Sequence, residues 1–443
     1  MSDLYSIGLS GVRAYQGALG TVSENIANAQ TPGYTKRTTT LSEFGVTEGG
    51  LGGSGVRVSG INRTADLYRA ADVRRAGADL ARSETAVGWL ERIETALSAE
   101  QVGARITGFF NAATTLAADP SATTPRTALI EAARGVAYAV SASGRSLADL
   151  SSQLNDSARD AVTTLNGLAA TLAKVNDGLT RSTPNTAAAA LLGDQRDQLL
   201  ERISAIADTA VEIDGFGRAS VRLGGSGGPV LIAPDGAGEV GYARNDEGAF
   251  AFSLARGATV SALTPGGGAL AGLADSAQRI ADARIALSEI AKDFVDGVNG
   301  VQAGGRDLDG VAGAALFAQD ADDSTQLTLV LEDPRKIAAA APGGGARDNA
   351  NLLALASLRG TAKFESRAAA VVGANASALS AGRTVAAAQT AIREGAVARY
   401  DATAGVDLDN EAVDLLRYQQ AYQGCTRVIQ VGRECFQAMI DIR

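Results

Sequence analysis

The chain has 443 residues, of which 46% are hydrophobic, and it carries a formal net charge of -9 with no histidine. This size is enough to bury a large core and predicts roughly two to four domains. The acidic balance, without a basic run, argues against nucleic acid or an anionic membrane surface as the main partner. No apolar run reaches the roughly 20 residues of a membrane span, and the N-terminus has no basic leader or apolar signal segment. Without histidine, serine and cysteine catalytic triads of the usual kind are excluded.

The first predicted element is a helix over residues 4–29 with an apolar stripe along one side. The apolar positions step alternately by three and four residues, which is the spacing of a coiled-coil seam. These positions are Val12, Tyr15, Leu19, Val22 and Ile26. At 1.5 Å per residue, the helix is about 39 Å long. Such a stripe needs a partner helix to cover it.

A sharp turn is predicted directly after this helix. Pro32 disfavours helix at Thr31, and Gly33 can adopt the backbone angles that a tight exit needs. Asn28 and Tyr34 flank these residues on either side. By itself this stretch would be any turn that ends a helix, and only the resemblance given below implies that these five residues belong to the predicted assembly interface.

The next part of the chain is predicted to be mainly helical. Hydrophobic periodicity predicts helices over residues 65–98, 105–118, 127–181 and 187–209. The predicted gaps between them contain Pro120, Pro125 and Pro184.

Between residues 211 and 264 the pattern changes to short alternating runs separated by glycines, which indicates a small β domain. Beyond it, helical spacing returns over residues 277–298, and a strand is predicted over 326–331. Two further helices are predicted over residues 350–357 and 363–404.

The last predicted helix covers residues 408–441 and is about 51 Å long. Its apolar seam repeats every seven residues, and Tyr418 belongs to the same predicted interface. The seam residues are Leu408, Leu415, Tyr422, Ile429 and Phe436. We expect this helix to lie beside the N-terminal one. Cys425 and Cys435 are about 15 Å apart along the helix, too far to pair with each other. Each is expected to be a small residue beside the seam, and a contact between subunits is the alternative.

These patterns predict a mainly α protein with a smaller β part, an α+β fold. It would have paired N- and C-terminal coiled-coil helices, a central helical bundle and a small inserted β domain. The N-terminal assembly helix and turn are predicted to cover residues 1–60, and the C-terminal assembly helix is predicted to cover 381–443. The helical domain is predicted over 61–210, and residues 266–303 and 346–380 return to it. The β domain is predicted over 211–265, with 304–345 added to it.

Both ends of the chain resemble signatures of the flagellar axial family, which contains rod, hook and hook-associated proteins. At the N-terminus the resemblance lies in SENIANAQTPGYTKR over residues 23–37. At the C-terminus it lies in VDLDNEA over residues 406–412 and LLRYQQAY over residues 415–422. The ends alone do not separate the members of the family, because rod and hook proteins share them.

The middle of the chain is similar to the helical segment of the hook-associated junction proteins. The diagnostic stretch is LLGDQRDQLL over residues 191–200, with Asp194, Gln195, Arg196 and Asp197 at its centre. On chemistry alone, Asp194, Arg196 and Asp197 would form a solvated helix face, where exposed ion pairs contribute about 0 to 1 kcal/mol. Further matches are Phe109-Phe110, Asp119-Pro120, Arg126 and the stretch 267–317. Gln302 departs from the pattern, because many members have histidine there, and the chain is short for the group, which implies a reduced outer domain.

The resemblance implies a non-enzymatic structural protein that connects the flagellar hook to the filament. It implies three assembly partners: the hook protein, a second hook-associated protein, and further copies of the chain in a ring or helical zone. It also implies export by the flagellar type III system without a cleaved signal, an export chaperone at the C-terminal helix and the export gate at the N-terminal region. The final location would be the flagellum outside the cell, with the terminal helices lining a tube. Neither nucleic acid nor membrane is an expected partner.

Two alternatives remain open. A hook or distal-rod protein would share the ends but would have a mainly β middle, which the long predicted helices oppose. A glycan hydrolase of the rod-tip type would need a cleft with two carboxyl groups about 5 to 10 Å apart, and the sequence nominates no such pair.

The sequence predicts no cofactor and no metal. The acidic loops at 307–310 and 320–323 resemble calcium loops but lack the glutamate that ends a twelve-residue loop.

Overall fold

A computed structural model of the protein describes residues 2–43, 55–245 and 248–441. The α-helices in these ranges are α1 (Ser2–Asn28), α2 (Leu67–Ser98), α3 (Val102–Ala118), α4 (Thr123–Arg181), α5 (Ala187–Ile206), α6 (Gly268–Gly304), α7 (Ala350–Ala362), α8 (Phe364–Ala404) and α9 (Leu408–Asp441). The strands are β1 (Arg37–Glu43), β2 (Val56–Arg63), β3 (Thr209–Ile213), β4 (Ala219–Leu223), β5 (Val230–Ala233), β6 (Gly236–Ala237), β7 (Glu239–Arg244), β8 (Phe250–Arg256), β9 (Thr259–Leu263), β10 (Phe317–Gln319) and β11 (Leu327–Leu329).

The strands form small antiparallel sheets rather than one large sheet. β1 pairs with β2 as a hairpin, and β10 pairs with β11. Between α5 and α6, the strands form a four-stranded sheet in the order β3-β4-β5-β6 and a three-stranded sheet in the order β7-β8-β9. The prediction of a mainly α fold with a smaller β part is confirmed. Among the described helices, none is both long and apolar enough to cross a bilayer.

The predicted elements differ from the structure at several places. The hairpin of β1 and β2 was not predicted, because the threonine-rich β1 shows no apolar alternation; residues 44–54, which lie between its strands, are outside the described residues. Pro125 does not fall in a gap but lies in the first turn of α4, where backbone N–H groups have no intrahelical acceptor and proline is tolerated. Helix α5 ends at Ile206, so Thr209 begins β3 instead of ending a helix.

An aromatic cluster lies at the centre of the main core. Phe109 and Phe110 of α3 pack against Phe294 of α6, with ring centroids 5.3 and 6.1 Å apart. Phe317 of β10 and Phe364 of α8 complete the cluster. Burying a side chain of this size contributes about 1.5 to 3 kcal/mol, so the cluster holds together elements that are far apart in the chain. The same apolar core continues along α4 into the sheets of the β region.

Polar side chains attach the loop between β11 and α7 to the helices. Arg126, which is 1% exposed, donates to the carbonyl oxygens of Pro120, Pro334 and Ile337 at 2.7, 3.1 and 2.8 Å. Gln302 of α6 donates to the Lys336 carbonyl at 3.0 Å and accepts from the backbone N–H of residue 338 at 3.2 Å. The glutamine at this unusual position is therefore a buried hydrogen-bonding residue of the core.

Candidate assembly interface at the terminal helices

The two ends of the chain pair as antiparallel helices. Gly8 of α1 faces Ile429 of α9 so closely that a Cβ added to Gly8 would lie 2.7 Å from the Ile429 Cγ1 atom. Further along, Gly11 faces Cys425, and the rings of Tyr15 and Tyr418 have centroids 6.3 Å apart. Each step toward the start of α1 is thus a step toward the end of α9. Since α9 has 34 residues and α1 has 27, the last turns of α9 extend past the start of α1.

The buried face of α1 consists mainly of small residues. Its members are Gly8, Gly11, Ala14, Ala18, Thr21, Val22 and Asn25. Of the predicted stripe, Val22 is buried; Val12, Tyr15 and Leu19 are half-buried; and Ile26 is 37% exposed. Gly8 and Gly11 let the backbones of α1 and α9 approach closely. Thr21 instead faces the hairpin, where its hydroxyl accepts from Thr39 at 2.8 Å. Of the predicted stripe, Tyr15 lies against Tyr418 of α9.

On α9, the predicted residues divide into two groups. Leu415, Tyr418, Tyr422 and Ile429 are half-buried, whereas Leu408 and Phe436 are 51% and 55% exposed. Other large apolar side chains of α9 that are more than a third exposed are Val413, Leu416, Val428, Val431, Met439 and Ile440. Glu411 is the only α9 residue that is buried in the described part of the chain. Most of the apolar surface of α9 is therefore not covered by α1.

The two cysteines lie in different environments. Cys425 is half-buried against Gly11, and burial raises the pKa of its thiol. Cys435 is exposed near the end of α9.

The predicted turn directly follows α1 and is held by local hydrogen bonds. The backbone N–H of Thr31 donates to the Asn28 carbonyl at 2.9 Å, and that of Tyr34 donates to the Thr31 carbonyl at 3.1 Å. Gly33 has a φ of +75°, a left-handed conformation that favours glycine. From α5, Gln198 donates to the Pro32 carbonyl at 3.0 Å and fixes the turn to the helical domain.

Asn25 connects the turn with both terminal helices. Its side-chain NH₂ donates to the Arg37 carbonyl at 2.8 Å and to Glu411 Oε2 at 2.9 Å. Its side-chain oxygen accepts from the Tyr34 hydroxyl at 2.8 Å and from the backbone N–H of Arg37 at 3.0 Å. The amide thus uses both its donors and both its lone pairs while only 1% exposed.

Glu411 ties the start of α9 to the chain that leaves the turn. Its carboxylate is 1% exposed, accepts a hydrogen bond from the Asn25 amide and pairs with Lys36 Nζ at 2.7 Å. The backbone N–H of Lys36 donates to the Ala404 carbonyl at 2.8 Å, so the end of α8 is held at the same point. A buried charge is stable only when paired and hydrogen-bonded, which makes this junction sensitive to substitution.

An ionic network joins the hairpin to the diagnostic stretch of α5. Asp194 accepts from Arg37 at 3.2 Å and from Arg63 at 2.8 Å, and Asp197 accepts from Arg63 at 2.7 Å. Arg196 donates to Asp197 at 2.7 Å. The expectation of a solvated helix face was wrong for Asp194 and Arg196, which are each 4% exposed. Of the four diagnostic residues, Gln195 is the exposed one. The hairpin, absent from the sequence prediction, supplies the arginines that cover these residues.

The sequence prediction therefore missed several residues of this junction. Asn25 and Glu411 lie within the two end signatures, but as polar residues they fall outside the apolar seams that predict the interface. A signal for both existed: each is a polar residue at a seven-residue spacing from interface positions, Asn25 from Ala18 and Glu411 from Tyr418. Arg37 and Arg63 carried no such signal, because the hairpin that holds them was not predicted.

We expect Asp194→Ala to lower the free energy of unfolding by about 3 to 5 kcal/mol, because it leaves two buried guanidinium groups short of a partner. Urea unfolding followed by circular dichroism measures this loss. Gln195→Ala, which changes the exposed neighbour, is the control and should stay within about 0.5 kcal/mol of the wild type. Equal effects of both variants would contradict a structural network at Asp194.

The junction should also lose stability at alkaline pH. Burial raises the pKa of Tyr34 to about 12, although the nearby Arg37 opposes this shift. Below about pH 10, tyrosine is protonated in both the folded and the unfolded chain. Between about pH 10 and 12 only the unfolded chain releases this proton, so stability falls as pH rises. The urea midpoint of Tyr34→Phe should fall less steeply over this range than that of the wild type. Tyr68→Phe, at a site 87% exposed, should retain the wild-type slope.

Comparison with known proteins places the chain among flagellar proteins. The family model for the flagellar hook-associated protein FlgK helical domain matches residues 90–317, which is just over half of the chain. The model for the C-terminal region of flagellar basal body rod FlgEFG proteins matches residues 398–442.

Individual relatives agree with these matches. The chain is 28% identical over 362 residues to flagellar hook-associated protein 1 of Salmonella typhimurium, with 76% of this chain and 65% of that protein covered. It is 27% identical over 331 residues to flagellar hook-associated protein 1 of Escherichia coli, with 72% and 60% covered. The chain thus spans less than two thirds of the length of these relatives.

A solved structure shows the same fold. The flagellar hook junction protein FlgK from Burkholderia pseudomallei superposes with a TM-score of 0.51 at 23% identity, over 56% of this chain and 47% of that chain. With a matching helical domain over half its length and a matching C-terminal helix, the chain belongs to the FlgK family of flagellar hook-associated proteins.

Proposed function

We propose that this chain is a non-enzymatic structural component of the bacterial flagellum that connects the hook to the filament. The observation that carries this proposal is the row of large apolar side chains that α9 leaves exposed. Helix α9 lies beside α1, so these side chains stand where the two ends of the chain meet. Exposed apolar patches of this kind mark surfaces that other proteins cover. Family membership indicates the flagellum as the assembly in which they are covered.

Assembly would proceed through the terminal helices of neighbouring copies. The half-buried Leu415, Tyr422 and Ile429 hold α9 against α1, and the exposed Leu408 and Phe436 remain for contacts between subunits. Copies packed in a ring or helical zone would place these helices at the inside of a tube, with the helical domain and the β region outside. One face of the zone would meet the hook protein and the other a second hook-associated protein, which is followed by the filament.

Export would precede assembly. We propose passage through the flagellar type III system without a cleaved signal, from the cytoplasm to the flagellum outside the cell. The export gate would bind the N-terminal region, and a chaperone would bind α9. The exposed apolar residues of α9 support the proposal of a chaperone, because uncovered they would favour aggregation before export.

The alternatives have less support. A hook or distal-rod protein would share the terminal helices, but the middle of this chain contains the long helices α2 to α5. A glycan hydrolase would need a pair of accessible carboxyl groups. The neighbouring acids Asp194 and Asp197 are instead engaged by Arg37, Arg63 and Arg196.

Deletion of the gene should leave cells with hooks but without filaments, and unassembled filament protein should appear in the culture medium. Electron microscopy of the flagella and analysis of the medium measure both results. Expression of the intact chain from a plasmid should restore filaments. Normal filaments in the deletion strain would refute the junction role, and loss of the hook itself would place the protein in the hook or rod.

Phe436→Asp should block filament attachment while leaving the isolated chain as stable as the wild type. Phe436 is 55% exposed, so the added carboxylate is hydrated in the monomer but would be buried without a partner in the assembly. Swimming assays and urea unfolding measure the two properties. Gln437→Asp, which adds the same charge at the next position, should retain motility. Loss of stability in Phe436→Asp would indicate that this residue contacts the chain's own helices.

A further inference from the structure

An apolar cavity of about 530 Å³ lies in the helical domain, where the end of α2 and the start of α3 meet α4, α6 and α8. Its buried lining residues are Leu97, Val102, Ser143, Leu287 and Ile290. Val371 and Val372 of α8 also line it and are half-buried. Sites for small organic molecules are mostly apolar and have volumes of about 300 to 1,000 Å³. The cavity therefore has the size and the wall of such a site.

The hydroxyl group of Ser143 is buried in this wall without a hydrogen-bond partner. Ser143 is 1% exposed, and within the described ranges its Oγ atom makes no hydrogen bond. Ser141, one position away from the same turn of α4, instead accepts from the backbone N–H of Leu327 at 2.9 Å. Buried polar groups are nearly always hydrogen-bonded, because leaving one unsatisfied is costly. Ser143 is thus a group that a ligand in the cavity would satisfy.

The first turn of α3 adds free backbone donors to the same cavity. Val102, Gly103 and Ala104 all line it, and no residue in the described part of the chain accepts from their N–H groups. Gln101 precedes the helix in a left-handed conformation, with a φ of +49°, and its side chain forms no capping hydrogen bond. A helix start in this state favours an oxygen atom that accepts hydrogen bonds.

The charges of the lining favour an uncharged ligand. Glu365 is the only charged residue among the described residues of the lining, and it is paired with Arg359 at 2.6 Å. A ligand carboxylate would therefore lie near another carboxylate, with no cation in the wall to neutralise it. A hydroxyl or carbonyl oxygen accepts the same hydrogen bonds without this cost.

We propose that the cavity binds an uncharged aliphatic molecule that carries a hydroxyl or carbonyl oxygen. The aliphatic part would lie against the leucine, isoleucine and valine side chains of α2, α3, α6 and α8. The oxygen would accept from the first turn of α3 and satisfy the hydroxyl of Ser143. This site goes beyond the proposed function, because it lies in the helical domain and uses none of the terminal assembly residues.

Isothermal titration calorimetry of the full chain with 1-octanol tests the proposal. We expect 1-octanol to bind at one site per chain. Octanoate, which has the same chain length but a negative charge, should bind at least about tenfold more weakly at pH 7. Absence of 1-octanol binding, or tighter binding of octanoate, would overturn the proposal.

Ser143→Ala tests the buried hydroxyl. Its melting temperature without ligand should equal or exceed that of the wild type, because the variant removes an unsatisfied polar group. Its affinity for 1-octanol should fall by about fivefold, the effect of one lost hydrogen bond. A lower melting temperature would show that the hydroxyl stabilises its own chain, and an unchanged affinity would show that it does not contact the ligand. Either result would overturn the proposal.

Two adjacent exposed alanines of α8 locate the bound molecule. Ala369 lines the cavity and Ala370 does not. Ala369→Phe should weaken 1-octanol binding by at least about tenfold, because the ring occupies the mouth of the cavity. Ala370→Phe is the matched control and should bind 1-octanol like the wild type. Equal binding by both variants would place the ligand elsewhere and refute the site.

Discussion

The hydrogen bonds of one buried amide hold the two ends of this chain together. Asn25 binds Glu411 of the last helix, Tyr34 of the turn and the backbone of Arg37, and it does so with every donor and acceptor that an amide possesses. Loss of any partner would leave a buried polar group unsatisfied, which costs about 1 to 3 kcal/mol. The position of α9 relative to α1 therefore depends on this point.

The ionic network extends this constraint to the helical domain. Arg37 and Arg63 lie on the two strands of the hairpin, and both bind Asp194 of α5. The terminal pair is thus joined to the helical domain by side chains as well as by the backbone. Under the proposed function, this fixed orientation would present the terminal helices and the helical domain in the same relation to every neighbouring copy.

Helices α1 and α9 approach each other closely at two glycines of α1. Because Gly8 and Gly11 have no side chains, Ile429 and Cys425 of α9 lie directly against the backbone of α1 and add to the hydrogen bonds of Asn25. The large apolar residues, such as Phe436, remain on the outside. Under the proposed function, these exposed residues would serve contacts with other copies, while the half-buried ones pair α9 with α1.

The sequence by itself determined the fold class, most helix positions and the family, because heptad spacing, prolines and two end signatures are local features of the chain. It predicted neither the hairpin of β1 and β2, nor the burial of Asp194 and Arg196, nor the burial of small residues such as Ala14 and Ala18 along α1. Only the tertiary structure decided these, since the partners of Asp194 lie 131 and 157 residues away in the chain. Whether a polar side chain is buried, and which side of a helix is covered, depends on the elements that pack against that helix.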